Sequence, residues 1–179
     1  MRTQTPLQHP GAAFVDVFKQ AFTHSEGAQE GALIAALVQE LLSGSKADIH
    51  CCAGYVDDEV VAAVVFSRMA FSEDSRSVFL LSPMAVLPQK QGQGFGQALI
   101  NAGLSMLRDA GVDVVLTYGD PAYYQRVGFA AISAEQAQPP HRLQQPHGWL
   151  GQSLDGVLPW PPLRGTSQCA AALDHPDYW

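Results

Sequence analysis

Between positions 86 and 99 the chain reads Val86-Leu87-Pro88-Gln89-Lys90-Gln91-Gly92-Gln93-Gly94-Phe95-Gly96-Gln97-Ala98-Leu99, with glycine at every second position from 92 to 96. An apolar run precedes this segment and a helical pattern follows it, so it joins a strand to a helix. Glycines here let the backbone come close to a ligand. They also leave free N–H groups converging at a helix N-terminus, which adds roughly half a positive charge. That is the chemistry of an anion site, although a plain flexible turn before a helix has the same signature. A dinucleotide fingerprint requires glycine at position 97, where Gln97 stands, and a Walker A loop requires Gly-Lys-Ser/Thr, whereas Gly96 is followed by Gln97 and Ala98. Both of those anions are therefore excluded. Further along, Tyr123-Tyr124-Gln125-Arg126-Val127-Gly128-Phe129 sets two phenols ahead of a Gly-Phe pair.

The elements around these segments are read from periodicity. Phe14, Val17, Phe18, Ala21 and Phe22 recur at three and four residues and form a helical stripe. Thr23-His24-Ser25-Glu26 matches a capping box and is expected to start a second helix along Leu33, Ile34, Leu37, Val38 and Leu41, with Gly44 as its stop. Residues 49–56 and 60–66 read as a hairpin around the acidic turn Asp57-Asp58-Glu59. Residues 78–87 read as a strand with a bulge or break at Pro83, since proline cannot donate to a ladder. The helix after the glycine turn is expected to follow Phe95, Leu99, Ala102, Met106 and Ala110, with Gly111 closing it. Residues 112–117 read as a buried strand, and Pro121 opens a short helix. The strand–helix–strand unit implies a parallel pair and the hairpin an antiparallel part. The result is a mixed sheet with helices on its faces, an α/β architecture.

The chain has 179 residues, of which 47% are hydrophobic and 15% charged, which fits one globular domain over 1–179. Seven of its prolines lie after Ile132, and residues 132–179 are read as a loop-rich part of that domain. Trp149, Leu150, Val157, Leu158, Trp160 and Leu163 are expected to pack back onto it. A net charge of -7 argues against nucleic acid or an anionic membrane as partner. No apolar run approaches the ~20 residues of a membrane span, and the first ten residues lack the order of a secretory signal. Cys51, Cys52 and Cys169 make neither a disulfide framework nor a zinc spacing, so a cytoplasmic setting with no metal is expected.

The segment Gln91-Gly92-Gln93-Gly94-Phe95-Gly96 resembles the pyrophosphate-binding motif Gln/Arg-x-x-Gly-x-Gly/Ala of the GNAT superfamily of acetyltransferases, and it follows Met84-Ala85-Val86-Leu87-Pro88 as in that family. Tyr123 to Phe129 resembles the family's aromatic-Tyr-x-x-x-Gly-Phe signature. Gly119-Asp120-Pro121-Ala122-Tyr123-Tyr124 is similar to a branch of largely uncharacterised GNAT proteins. The resemblance spans roughly residues 60–129. It implies a mostly antiparallel central sheet flanked by helices and splayed at the cofactor cleft, with acetyl-CoA as co-substrate. It also implies roles. Amides around Met84, Ala85 and Val86 would pair with the pantetheine arm, and those of Gln91, Gly92, Gln93, Gly94, Phe95, Gly96 and Gln97 would hold the pyrophosphate, with Lys90 adding charge. Tyr124 would be the general acid that protonates the departing thiolate.

Two features depart from the family. No first strand is evident among residues 1–10, and Gly119-Asp120-Pro121 stands where many members carry an asparagine. The implied activity is acetyl-CoA-dependent N-acetylation of a small-molecule or peptide amine by direct transfer, and the resemblance leaves room for a homodimer. The rival reading is a non-catalytic acyl-CoA-binding or sensing module; a weaker third is an interaction protein acting through its Pro/Trp-rich end. Other residues point less clearly to chemistry. His50 and Cys52 share one strand face and Cys51 the other, so the two cysteines read as buried structural residues. His141, His147 and His175 lack ligand spacing and read as surface residues. Glu26, Glu73 and Asp120 are unranked candidates for the base, and His24 and Glu26 are placed in a loop between the first two helices.

Overall fold

The computed structural model describes residues 1–179. Its strands are β1 (Arg2–Gln4), β2 (Ile49–Val56), β3 (Glu59–Phe71), β4 (Asp74–Val86), β5 (Val114–Tyr118), β6 (Ala130–Ala131), β7 (Trp149–Ser153) and β8 (Ser167–Gln168). Its helices are α1 (Ala12–Glu26), α2 (Ala28–Leu42), α3 (Phe95–Asp109) and α4 (Pro121–Tyr124). The strands form one sheet in the order β1-β2-β3-β4-β5-β7-β6, with β8 against β3. Only β4 and β5 are registered in parallel, from Val78↔Val114 to Leu81↔Thr117, while β5–β7, β6–β7, β1–β2 and β3–β8 run antiparallel. This is the mixed, mostly antiparallel sheet with helices that was expected. By contacts the chain falls into two compact units, Met1–Phe66 with Ser82–Met106, and Ser67–Leu81 with Leu107–Trp179.

In the first unit, α1 buries Phe14, Val17, Phe18 and Ala21, and α2 buries Ile34, Leu37, Val38 and Leu41. The expected stripe in α2 also named Leu33, but that side chain is 45% exposed and points away from the buried face. Nor does the capping box form. Residues 23–26 are the last turn of α1, and Gly27, at φ 102, both ends that helix and precedes α2 with no side-chain cap. The positive φ breaks the helix at the one residue that adopts it without steric cost, so the boundary falls there and not at Thr23. The two helices touch closely at Gly31, where a Cβ would lie 2.0 Å from Thr23 Oγ1 and 2.7 Å from the Lys19 carbonyl.

The first strand is present after all. The three residues of β1 are exposed and carry no β pattern, and main-chain pairing holds them, Arg2 opposite Tyr55 and Gln4 opposite Ala53. The β2–β3 hairpin turns on Asp57 and Asp58, both at positive φ (49° and 62°), as a two-residue turn matched to strand twist requires. Residues 61–66 of β3 are all 0% exposed, so both faces are covered. α3 keeps its expected extent, and the Gly111 amide returns to the Arg108 carbonyl (3.0 Å) beyond its end. Its buried face is rotated from the expected stripe: Leu99, Ile100, Gly103, Leu104 and Leu107 are buried, while Ala102 and Met106 are only half-buried. Gly103 sets this rotation, because the Phe66 ring occupies the space its Cβ would take, 2.5 Å away. β4 does not break at Pro83. The proline stands two residues beyond the last pair shared with β5, past the end of that ladder.

In the second unit, Val114, Val115 and Leu116 of β5 are buried and Thr117 is 0% exposed. β7 lies along the other side of β5, with Trp149 opposite Tyr118. Within the proline-rich segment Trp149, Leu150, Trp160 and Leu163 are buried. Val157 and Leu158, expected to join them, are 49% and 79% exposed. They lie in a turn started by the Asp155 carboxylate, which accepts the Val157 amide at 2.9 Å and carries the side chains outward. One ion pair ties this segment down. Arg76 pairs with Asp74 at 2.7 Å and donates to the carbonyls of Pro161 and Pro162, each at 2.7 Å. The guanidinium holds the Asp74 carboxyl well below the usual carboxylate range.

Gly31→Ala sets helix propensity against the close helix contact. Alanine favours a helix interior by roughly 1 kcal/mol, but overpacking against backbone that cannot move aside costs about 1–3 kcal/mol. The variant is expected to lose stability in urea unfolding, and a gain would mean that α1 and α2 separate freely.

Candidate active site

The glycine turn lies where β4 ends and α3 begins. From Ser82 the strand alternates: Pro83, Ala85 and Leu87 are buried, whereas Ser82, Met84 and Val86 are half-buried on the other face. Beyond Leu87 a single 3₁₀ turn over Pro88–Lys90 redirects the chain. Gly92 and Gly94 then adopt φ 73° and 78°, values that side chains rarely tolerate. At both, the space a Cβ would occupy is open, with nothing within 4 Å. The side chains of Gln91 and Gln93 fold back onto the chain, donating to the carbonyls of Val86 (3.0 Å) and Gln89 (3.3 Å).

The main-chain donors are the important groups. The first helical bond of α3 runs from the Ala98 amide to the Gly94 carbonyl at 3.0 Å, and the amides of residues 92–97 have no backbone acceptor. Successive N–H groups at a helix N-terminus, in a turn where Gln91, Gly92, Gln93 and Gly94 are exposed, form an anion cradle. Phe95 and Gln97 are half-buried and Gly96 is buried in the first turn of the helix.

Tyr124 ends α4. Asp120 caps that helix, its carboxylate accepting the Ala122 amide at 2.9 Å, and Pro121 stands at the first helical position. One oxygen of Asp120 is thus committed to structure, which counts against it as a free base. The Tyr124 ring sits edge-on to Tyr123 (5.2 Å) and Phe129 (5.7 Å). Burial pushes its phenol above the ordinary tyrosine pKa, while a hydrogen bond with Thr117 pulls the other way. The Thr117 hydroxyl itself donates to the Leu81 carbonyl at 2.9 Å. Gly119 gives Tyr124 its space, since a Cβ there would be 2.8 Å from ring carbon Cε2. The sequence marks Gly119 only as the head of the Gly119–Tyr124 segment and Thr117 only as the end of a buried strand, with no role beside Tyr124 for either.

The remaining candidates are dispersed. His24 and Glu26 lie in the last turn of α1, not in a loop, and Glu73 lies in the tight turn between β3 and β4. A shallow, open hollow of about 600 Å³ is lined by Asp16, Lys19, Gln20, Thr23, His24 and Pro88. His141 pairs with Asp174 at 2.7 Å. No group of three or more His, Cys, Asp or Glu side chains is placed to hold a metal ion, and no helix is long and apolar enough to cross a membrane.

Known proteins resemble this chain in sequence and in fold. The model of the acetyltransferase (GNAT) domain family matches residues 47–131. The chain is 31% identical over 144 residues to the uncharacterized N-acetyltransferase YjhQ of Escherichia coli K12, covering 78% of this chain and 76% of that protein. It is 28% identical over 129 residues to the uncharacterized N-acetyltransferase YhbS of the same strain, covering 72% of each. The crystal structure of the GNAT family N-acetyltransferase YhbS from Escherichia coli in complex with CoA superposes with a TM-score of 0.75 at 20% identity, over 97% of this chain and 92% of that one. A GNAT family acetyltransferase from Brucella melitensis in complex with acetyl-CoA gives 0.65 at 24% identity, over 97% and 99%.

All three cysteines are free and buried. Burial pushes Cys51 and Cys52 up to about 12 and Cys169 up to about 11. The nucleophile is the thiolate, so at pH 8 none is poised for attack. Thiol titration of the native protein at pH 8 is expected to run at least ~100-fold slower than in denaturant, where all three should react; the rate should rise as pH climbs towards these raised values. Rapid labelling of one native cysteine would restore it as a candidate nucleophile.

Proposed function

The chain belongs to the GNAT acetyltransferase family, and from that premise we propose how it carries out acetyl-CoA-dependent N-acetylation. The observation that carries the reading is the run of unpaired amides over residues 92–97 at the start of α3. These donors, with the open space beside Gly92 and Gly94, fit a pyrophosphate, and Lys90 adds charge at the preceding turn. The main chain of Met84, Ala85 and Val86 receives the pantetheine arm in the manner of an added strand. Acetyl-CoA supplies an acetyl group on a thioester, activated towards an amine. The Gly119-Asp120-Pro121-Ala122-Tyr123-Tyr124 segment is similar to a branch of largely uncharacterised members, Tyr124 is the acid, and residues 1–179 act as one catalytic domain.

In the transfer step the acceptor nitrogen bonds to the acetyl carbon, the C–S bond breaks, and the nitrogen gives up its extra proton to water, from which Tyr124 regains the proton it passes to sulfur. Tyr124 holds a proton at its phenolic oxygen for the departing sulfur. Its raised pKa keeps the group protonated beyond neutrality, and a phenol hydrogen bond to a sulfur whose thiol has a pKa of about 8–9 offsets the charge as it develops. Transfer is direct, because the buried, protonated cysteines offer no covalent route. The acceptor is a small-molecule or peptide amine, and the acidic balance of the chain favours a cationic one. The free cysteines support a cytoplasmic setting. An acceptor screen that reports free thiol, run beside CoA calorimetry, tests the activity; CoA binding with no turnover on any amine would favour a sensing module.

Gln97→Glu separates the anion site from helix stability. A carboxylate in the first turn of α3 favours the helix dipole by about 0.3–1 kcal/mol, yet repels a bound pyrophosphate. The melting temperature is expected to hold or rise while CoA affinity falls at least ~10-fold, a loss of about 1.4 kcal/mol. Unchanged CoA affinity would place the pyrophosphate elsewhere.

Tyr124→Phe keeps the ring and removes the proton. General acid catalysis contributes about 10²–10⁴-fold, so kcat should fall in that range with CoA affinity changed only a few-fold. The basic limb of the pH–rate profile should also change. An equal loss of affinity and rate would make Tyr124 a wall of the cofactor site, and full activity would leave the thiolate to water.

A further inference from the structure

Trp179 is 2% exposed, and its ring lies almost parallel to that of Tyr118, with centroids 6.4 Å apart at 15°. A second neighbour, Trp149, packs edge-on at 5.9 Å. Two hydrogen bonds fix the residue: its indole N–H donates to the Leu173 carbonyl at 2.9 Å, and its own carbonyl accepts the Gln144 amide at 3.2 Å. Tyr118 is held as firmly. Its hydroxyl accepts the Gln145 amide at 2.8 Å, and its backbone is in register with Trp149.

Tyr118 is the last residue of β5, and both of its chain neighbours lie close to Tyr124. Gly119, whose amide donates to the Gly148 carbonyl at 2.9 Å, gives up its Cβ space to the Tyr124 ring. Thr117, whose hydroxyl donates to the Leu81 carbonyl at 2.9 Å, is near enough to the Tyr124 phenol to oppose the rise in its pKa. The Tyr124 ring is therefore packed against Gly119, as well as Tyr123 and Phe129, and Gly119 directly follows Tyr118, whose side chain is stacked against Trp179.

We infer that Trp179 is a positioning residue for acetyl transfer, fixing the end of β5 through Tyr118 and so the place of the Tyr124 ring. The inference rests on the general-acid reading of Tyr124. Misplacing a catalytic group by about 1 Å can cost ~100-fold in rate, so a partial loosening should cost less than the loss of the phenol itself.

The test compares Trp179→Ala, Trp179→Phe, Tyr124→Phe and the double variant Trp179→Ala/Tyr124→Phe, each checked for folding by thermal melting. Trp179→Ala is expected to lower kcat about 10-fold with CoA affinity within ~2-fold of the parent, and Trp179→Phe, which keeps a flat ring, to restore most of it. In the Tyr124→Phe background the same alanine should cost nothing further, because the group it positions is gone. Full kcat in a folded Trp179→Ala protein, an equal loss in both backgrounds, or a matching loss of CoA affinity would overturn the inference. Should Trp179→Ala not fold, Trp179→Leu fills much of the volume without a flat ring and is read the same way. If Tyr124→Phe alone turns over normally, the general-acid reading has failed. The NMR signal of ¹³C-labelled Tyr124 then decides the packing link: a shift in Trp179→Ala that Trp179→Phe reverses supports it, and an unmoved signal overturns it.

Discussion

An α-helix begins with N–H groups that its own backbone cannot satisfy, and the fold of this chain leaves such groups in an exposed turn. At the start of α3 the deficit extends beyond the helix, because Gly92 and Gly94 take positive φ and carry the unpaired amides back to residue 92. Such a turn is tolerable only where its donors meet water or an anion. It also needs a firm support on each side. β4 supplies one, with Pro83, Ala85 and Leu87 buried up to the turn, and the apolar face of α3 supplies the other, with Gly103 seated against the Phe66 ring. The turn is held at both ends while its middle stays exposed.

The second unit provides a different kind of constraint. Under the proposed mechanism the Tyr124 ring has to be held in one place, and a buried ring requires room. Gly119 supplies the room by having no side chain, and the Thr117 hydroxyl supplies a polar neighbour without a charge. Both flank Tyr118, which is stacked on Trp179, so the packing proposed to position Tyr124 belongs to the C-terminal third of the chain. The Asp74–Arg76 pair serves the same segment by binding the carbonyls of Pro161 and Pro162, groups that have no strand partner.

The sequence disclosed the local features and missed those that depend on neighbours. The glycine turn, the β2–β3 hairpin and Pro121 at the head of α4 were legible because each follows from backbone geometry within a few residues. The strand β1 was not, since Arg2, Thr3 and Gln4 are exposed and joined only through main-chain bonds to β2, which no side-chain pattern records. The face of α3 was misjudged by about a quarter of a turn, because Phe66, a residue far away in sequence, packs where the Gly103 side of the helix meets it. Thr23 to Glu26 satisfied a capping pattern, but Gly27 followed, and a glycine at φ 102 outweighed it. Tyr124 and Gly119 were legible as parts of one motif, while the packing of Gly119 against the Tyr124 ring and the stacking of Trp179 on Tyr118 were not.

Backbone amide NMR during a CoA titration tests the central claim most directly. The amide resonances of residues 92–97 should move together and become slow to exchange with solvent as CoA saturates the protein, because each donor gains the acceptor it lacks in the free chain. Saturation by CoA that leaves those amides unshifted and still exchanging would show that the turn does not hold the pyrophosphate, and would contradict the account at its base.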